Sequence, residues 1–310
     1  MSMSDLDRKL VRLMSEKSAK RVYLVLTRLC SILSDKAFLS IAYAIRMRKR
    51  IRWDAPVSFN EKLQVLKLKR KGTSVYKYVD KYEVRQLVKS LFPNDEVRLI
   101  PLLGVYDSPG EVELDKLPEE FVVKCTHDSG SVVLCRSQED FIKNKKMLEL
   151  ALKNDYFLRT RDYCYKGIKP RLVIEEMMHN GEAGEKDTLV DFKFYCFGGE
   201  PEYVYVSTDL DDHAKTRLSF FNIDLSPASF GRNDYAPLEE IPFVPDRYED
   251  MVGFARKLAA PFEFVRVDLY SIGADIYFSE LTFSPCNGMM PFRPASYDVE
   301  LGKKLKITND

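Results

Sequence analysis

The hydrophobic positions of this 310-residue chain change period several times, and each change marks an element. Over residues 1–52 they recur at helical spacing: Leu6, Leu10, Leu13, then Val22, Leu24, Val25, Leu29, Ile32, Leu33, then Phe38, Ile41, Ala42, Ile45. This predicts two or three amphipathic helices ending in the basic run from Arg46 to Arg52. Ser58-Phe-Asn-Glu61 has the S-x-x-E capping pattern, so a helix is expected from there to Arg70, stopped by Gly72. Further helices are expected over 80–91, 138–153 and 245–260. Strands are expected at 99–106, 121–125, 132–136, 172–178, 189–197 and 202–208, the last two joined across Gly198-Gly199.

The most informative stretch is 264–288, which reads as two strands and a tight turn around Gly273. Phe264, Arg266, Asp268 and Tyr270 share one face of the first strand, and Val265, Val267 and Leu269 the other. Strict alternation places Ile276, Phe278, Glu280 and Thr282 together on the returning strand. Asp268 then lies nearly opposite Glu280. Two neighbouring carboxylates repel unless a cation sits between them, and one or two carboxylates completed by phosphate oxygens suit Mg²⁺. Arg266 shares their face and points a planar cation at the same anion. Taken alone, the pattern also suits a surface hairpin whose charges face water.

Composition narrows the choice. A net charge of +1 with 31% charged residues excludes the basic excess of a general nucleic-acid binder. Residues 1–52 are the exception, with 13 Lys+Arg against 4 Asp+Glu. That arm is either a helical cap with a solvated basic face or a peripheral contact with an anionic membrane. Six cysteines without C-x-x-C pairing, and a polar start at Met1–Leu10 unlike a secretory leader, predict reduced thiols and a cytoplasmic protein.

Other stretches carry candidate chemistry. Lys124 interrupts the apolar strand Phe121-Val-Val-Lys-Cys125 and precedes the small-residue loop Thr126-His-Asp-Ser-Gly-Ser131, a combination suited to phosphate. Leu172-Val-Ile-Glu-Glu-Met-Met178 ends in two glutamates and two methionines, and Lys193 lies on a later strand. Asp209-Leu-Asp211-Asp212 is a D-x-D string of the kind sugar transferases use to hold a metal, though short acidic loops are usually solvated turns.

In order, these pieces resemble the ATP-grasp superfamily, and most closely its TupA-like (teichuronopeptide biosynthesis) family of polysaccharide gene clusters. The features carrying the resemblance are Phe59-Asn-Glu-Lys-Leu63, Asp80-Lys-Tyr-Glu-Val-Arg85, Ile100-Pro-Leu-Leu-Gly-Val-Tyr106 and Phe121–Gly130. Asp191-Phe-Lys-Phe-Tyr-Cys-Phe-Gly-Gly199, Arg266-Val-Asp268 and Glu280-Leu-Thr-Phe-Ser-Pro285 complete the set. The resemblance implies an α+β fold with two sub-domains gripping ATP, a small one over 119–178 and a large one over 179–292. A helical pre-grasp region over 53–118 follows the arm, and 293–310 forms a tail.

By the same resemblance Lys124, Ser129 and Gly130 would meet the phosphates, with Lys193 facing them from the other side. Glu175, Glu176 and Met178 would form the adenine hinge, and Glu182 or Glu185 would reach the ribose. Arg266 would steady the transferring phosphoryl group, and Asp268 and Glu280 would hold Mg²⁺. Thr282 stands where many members carry Asn, and Pro285-Cys-Asn-Gly288 where relatives often show Pro-Gly. The activity implied is a Mg²⁺- and ATP-dependent carboxylate–amine ligase acting on an acid and an amine in capsule or cell-surface polysaccharide assembly. Its rivals are a glycosyltransferase using Asp209 and Asp211, a sugar kinase, and a non-catalytic scaffold.

Overall fold

A computed structural model describes residues 32–179, 189–208 and 216–308. Helix α1 (Asp35–Met47) starts at Ser34, whose hydroxyl accepts from the Ala37 N–H. Its buried residues are Leu39 and Tyr43, whereas Ile41 and Ile45 are 50% and 71% exposed. The inward side is therefore not the one the spacing of Phe38, Ile41, Ala42 and Ile45 singled out: the core takes Leu39 and Tyr43, Phe38 and Ala42 are half-buried, and the two isoleucines stay outside. Helix α2 (Phe59–Lys69) has the expected capping box, with Ser58 and Glu61 bonded reciprocally. Burial pushes the Glu61 carboxyl up, but the Arg52 guanidinium and backbone N–H groups of Ser58, Val57 and Arg52 hold it down at about 2.

Helix α4 (Val84–Leu91) is the helix expected over 80–91, beginning four residues late, and a single-turn helix α3 (Tyr76–Val79) precedes it. Asp80 breaks the run because its carboxylate accepts from the N–H groups of Tyr82 and Glu83 (2.8 and 3.2 Å). Strands β1 (Arg98–Leu99) and β2 (Leu102–Tyr106) follow, then β3 (Phe121–Cys125), β4 (Val132–Cys135), α5 (Gln138–Leu152), α6 (Tyr156–Thr160) and β5 (Leu172–Glu176). The remaining elements are β6 (Asp191–Phe197), β7 (Glu200–Thr208), β8 (Arg217–Asn222), β9 (Gly231–Arg232), α7 (Tyr248–Ala259), β10 (Phe264–Ile272), β11 (Asp275–Thr282), β12 (Phe292–Arg293) and α8 (Tyr297–Lys304). Among the described residues no helix is long and apolar enough to cross a membrane.

The strands form two main sheets. The smaller has the order β2-β5-β3-β4. One of its faces, with Phe121, Val123, Cys125, Cys135, Leu172 and Ile174, packs on Phe141 and Leu148 of α5. The alternate positions, including Lys124, Val132, Leu134 and Glu175, are on the opposite face. The larger sheet has the order β1-β11-β10-β6-β7-β8, antiparallel throughout except for β1 beside β11. Phe192, Phe194, Val204, Val206, Val265, Val267 and Leu269 pack against Met251, Ala255 and Leu258 of α7. Each such side chain removed from water contributes roughly 1.5–3 kcal/mol before entropy is subtracted.

The second face of the large sheet is divided. Towards one end Tyr195, Phe197, Tyr205, Phe220 and Phe264 join Phe59 and Leu63 of α2 and Leu301 of α8 in an aromatic cluster. Towards the other end the positions are charged. Helix α8 sits hard against the start of α2: a Cβ on Gly302 would meet the Val57 carbonyl oxygen at 2.1 Å and the Phe59 nitrogen at 2.8 Å. Asp298 of α8 accepts the Asn60 N–H at 2.9 Å, supplying one of the partners a helix start needs.

Candidate functional site

The charged end of the large sheet is built by register. Across β6, β10 and β11 one row is Lys193, Asp268 and Glu280, and the next is Tyr195, Arg266 and Thr282. Simple alternation fails on β11, because Ile276 and Phe278 are buried in the core beneath α7 while Glu280 and Thr282 are on the charged face. The ladder shifts between Asp268 and Leu269, pairing Asp268 with Glu280 and Leu269 with Phe278. Ser279 is the surplus residue of a β-bulge. Its hydroxyl donates to the Tyr270 phenol oxygen at 3.3 Å.

A cation does sit between the two carboxylates, and it is a guanidinium. Arg266 donates from Nε and Nη2 to the two oxygens of Asp268 (2.7 and 2.6 Å), and from Nη2 to Glu280 Oε1 (2.9 Å) and Thr282 Oγ1 (3.0 Å). The Thr282 hydroxyl donates in turn to Glu280 Oε1 at 3.0 Å. Lys193 lies 2.7 Å from Asp191 and 3.3 Å from Asp268. Burial raises the Glu280 carboxyl, but Arg266, Lys81 and Lys193 outweigh it and hold the group below its usual range. Asp268 is almost fully enclosed, whereas the Glu280 side chain is 38% exposed. Glu280 is therefore the member of the pair open to an incoming ligand.

The smaller sheet contributes a second charged group. Lys124 Nζ bonds Glu175 at 2.8 Å, and Arg85 bonds the other oxygen of Glu175 at 3.0 Å. Glu176 uses its backbone N–H on the Pro101 carbonyl, at 3.0 Å. In the loop after Lys124, Ser129 and Gly130 are exposed, and Gly130 has φ +115° with open space around it. A side chain is excluded there by backbone conformation rather than by crowding. Lys81 donates to the carbonyls of Cys125 (2.9 Å) and Asp128 (2.6 Å) in this loop, and its charge also acts on Glu280. That lysine ties the loop of one sheet to the carboxylates of the other.

Helix α2 grips the loop that follows Thr282. Asn60 exchanges two hydrogen bonds with the Met290 backbone (2.9 and 2.8 Å), and Gln64 donates to the carbonyls of Asn287 (3.0 Å) and Gly288 (2.7 Å). Lys67, fully buried, bonds the Asn287 side chain and its carbonyl. Cys286 and Asn287 have positive φ (51° and 56°), as does Gly288 (64°), so Gln64 and Lys67 hold this run in place while Asn60 fixes the residue after Met289.

Burial pushes the Lys67 ammonium down to about 8, with Asp162 and Cys164 opposing. Its folded value is thus below the unfolded one of about 10.4. Between those values the unfolded chain holds a proton that the folded chain has released, so stability rises with pH across that window. Lys67→Met should flatten this rise. Urea unfolding at pH 8 and pH 10 should show wild type gaining on the order of 2 kcal/mol relative to the variant. An unchanged difference at the two pH values would contradict it.

Of the residues singled out by sequence, Lys193, Arg266, Asp268 and Glu280 come together on one face. Lys124 and Glu175 form an ion pair on the other sheet, with Ser129 and Gly130 in the adjoining loop. Glu176 ends β5, and Met178 lies just beyond it. Asp209, Asp211, Glu182 and Glu185 lie outside the described residues. Sequence reasoning gave no role to Lys81, Arg85, Asn60, Gln64 or Lys67. Four of these lie in the stretches 59–63 and 80–85 or next to them, which were noticed only as motifs.

Among the described residues no three His, Cys, Asp or Glu side chains converge to hold a metal. An oxygen pair facing across one ladder, with Glu280 accessible, nevertheless fits Mg²⁺, which commonly takes one or two carboxylates and completes its shell with phosphate and water.

No curated protein matches the chain. Among solved structures it is similar to D-alanine–D-alanine ligase from Bacillus anthracis (15% identity, 66% of this chain and 57% of that chain, TM-score 0.38). It is also similar to D-alanine–D-alanine ligase from Helicobacter pylori (15%, 80% and 69%, TM-score 0.41). A third is N5-carboxyaminoimidazole ribonucleotide synthetase from Thermus thermophilus (12%, 73% and 52%, TM-score 0.38). The chain spans little more than half the length of the first and third of these. The sequence model of the family described as TupA-like ATPgrasp matches residues 61–306. With that match spanning most of an α+β chain, the protein belongs to the TupA-like ATP-grasp family and has the ATP-grasp fold.

Proposed function

We propose that the protein is an ATP-dependent carboxylate–amine ligase acting in cell-surface polysaccharide assembly. The observation supporting it most is the single charged face that carries Lys193, Arg266, Asp268 and Glu280, electrostatically coupled through Lys81 to the loop after Lys124. In this reading the sub-domains over 119–178 and 179–292 close on ATP. Glu176 and Met178 meet the adenine with backbone groups. Lys124 and the Ser129-Gly130 loop take the phosphates from one side and Lys193 from the other. Asp268 and Glu280 would hold Mg²⁺, which when bound neutralises phosphate charge.

The chemistry asks for positioning and charge neutralisation, and this site offers both. A substrate carboxylate oxygen attacks the γ-phosphorus and ADP leaves. An amine then attacks the acyl carbon and releases phosphate. Arg266, held rigidly by Asp268, stabilises the negative charge that spreads over the transferring group. Calorimetry with ATP and Mg²⁺ tests the first half of this reading. Wild type should bind, and Lys124→Met should raise the Kd at least about tenfold, as loss of a charged phosphate contact implies. Failure of wild type to bind ATP would sink the reading. ADP appearing without free phosphate would favour a kinase.

A further inference from the structure

The small sheet carries an ion group of three members, and Arg85 has no place in the chemistry above. From the first turn of α4 it donates from Nη1 to Glu175 Oε1 (3.0 Å) and from Nη2 to the Ile100 carbonyl (2.8 Å). Lys124 of β3 donates to the other carboxylate oxygen, Glu175 Oε2, at 2.8 Å. Register accounts for the meeting. Glu175 is paired with Val122 across β5 and β3, so Lys124 is its diagonal neighbour on the same face. On its other side Glu175 is paired with Leu102, two residues from the carbonyl that Arg85 also holds.

The three side chains differ in access. Glu175 is 8% exposed, Arg85 13% and Lys124 19%, so the lysine is the most open member. A lysine and a glutamate alone sum to zero charge, and an enclosed carboxylate with one counter-ion uses that ion up. Arg85 takes one oxygen of the shared anion and raises the sum to +1. An ammonium has three N–H groups, and among the described residues Lys124 gives one of them to Glu175. The surplus charge therefore sits where a ligand can reach it. A mere tie between α4 and the sheet would need only the Ile100 carbonyl. The second arm of the guanidinium instead goes to the carboxylate that also holds Lys124.

We propose that Arg85 is a positioning residue for nucleotide binding: by sharing Glu175 it leaves Lys124 with net positive charge for the phosphates. Arg85 itself touches no phosphate. The inference rests on the ATP-binding half of the ligase reading and adds to it a residue outside the nucleotide's own contacts.

Calorimetry on full-length protein with Mg²⁺, titrated with ATP and with adenosine, tests it. The adenosine Kd divided by the ATP Kd measures what the phosphates contribute. Arg85→Gln should lower that ratio about tenfold, the scale of one charge-assisted contact, by weakening ATP and leaving adenosine within about twofold. Arg85→Gln combined with Glu175→Gln removes the anion along with its cation, and should return the ratio to within about threefold of wild type. An arginine that only braced the fold would not be rescued by losing its partner. Arg85→Lys keeps the charge without the fork and should stay within about threefold.

An unchanged ratio in Arg85→Gln, equal losses for ATP and adenosine, no recovery in the double variant, or a tenfold loss in Arg85→Lys would each overturn the proposal. Should Arg85→Gln not fold, Arg85→Lys and Glu175→Gln alone decide. Glu175→Gln should keep the ratio at or above that of wild type, and a lower one would overturn the charge argument. Wild type that binds no ATP would instead sink the ligase reading beneath it.

Discussion

Glu280→Gln is expected to lower ATP-dependent phosphate release by at least about 100-fold, the usual loss when a preorganised charged group is removed from a reacting centre. The fold should survive it. Glu280 is the accessible carboxylate of the pair, and glutamine keeps an acceptor oxygen for Arg266 and Thr282. The melting temperature should stay within about 3 °C of wild type, as for substitutions that create no cavity and strand no buried charge. Asp268→Asn is the contrasting case. It removes the enclosed anion between Arg266 and Lys193, so stability should fall along with activity. Phosphate release and calorimetric melting on both variants separate a site role from a structural one. Turnover retained in Glu280→Gln would remove that residue from the site.

The largest effect on stability should come from Gly302→Ala. The added methyl would strike the Val57 carbonyl and the Phe59 nitrogen, both backbone atoms that no rotamer change can move aside. Helix α8 would have to lift from α2, weakening the Asn60–Asp298 bond and the packing of Leu301 in the aromatic cluster. Overpacking of this kind costs about 3 kcal/mol. With a urea m-value near 3 kcal/mol/M for a chain this size, the midpoint should drop by about 1 M at constant m. Gly253→Ala in α7 supplies the opposite sign, since nothing lies within 4 Å of its Cβ position. Alanine there should stabilise by about 0.5–1 kcal/mol. Equal midpoints for the two variants would contradict the packing described for α8.

The sequence disclosed features whose cause is local. Ser58 and Glu61 announce the start of α2 because the capping box is completed within four residues. Gly198-Gly199 announces the β6–β7 turn for the same reason. Arg266 and Asp268 share a face because strands have period two, and no bulge interrupts β10 against β6. What stayed hidden depends on partners far along the chain. Gln64 and Lys67 are fully buried because Asn287, more than 200 residues later, supplies acceptors for both. Arg85 gave no sign that it would share Glu175 with Lys124. Ile41 and Ile45 look like core positions on periodicity alone, and only the placement of Leu39 and Tyr43 shows which side of α1 has a neighbour.

Ser279 bears on how this ladder tolerates changes of length. Loss of the surplus residue would leave Phe278 and Glu280 opposite the partners they have now, since regular pairing resumes on both sides of it. The facing of the carboxylate is thus insulated from a one-residue deletion, and what varies is curvature, because a bulge adds local twist. Evolution can then adjust the gap between the two acidic groups by trimming a single codon, with the hydrophobic underside of the hairpin undisturbed.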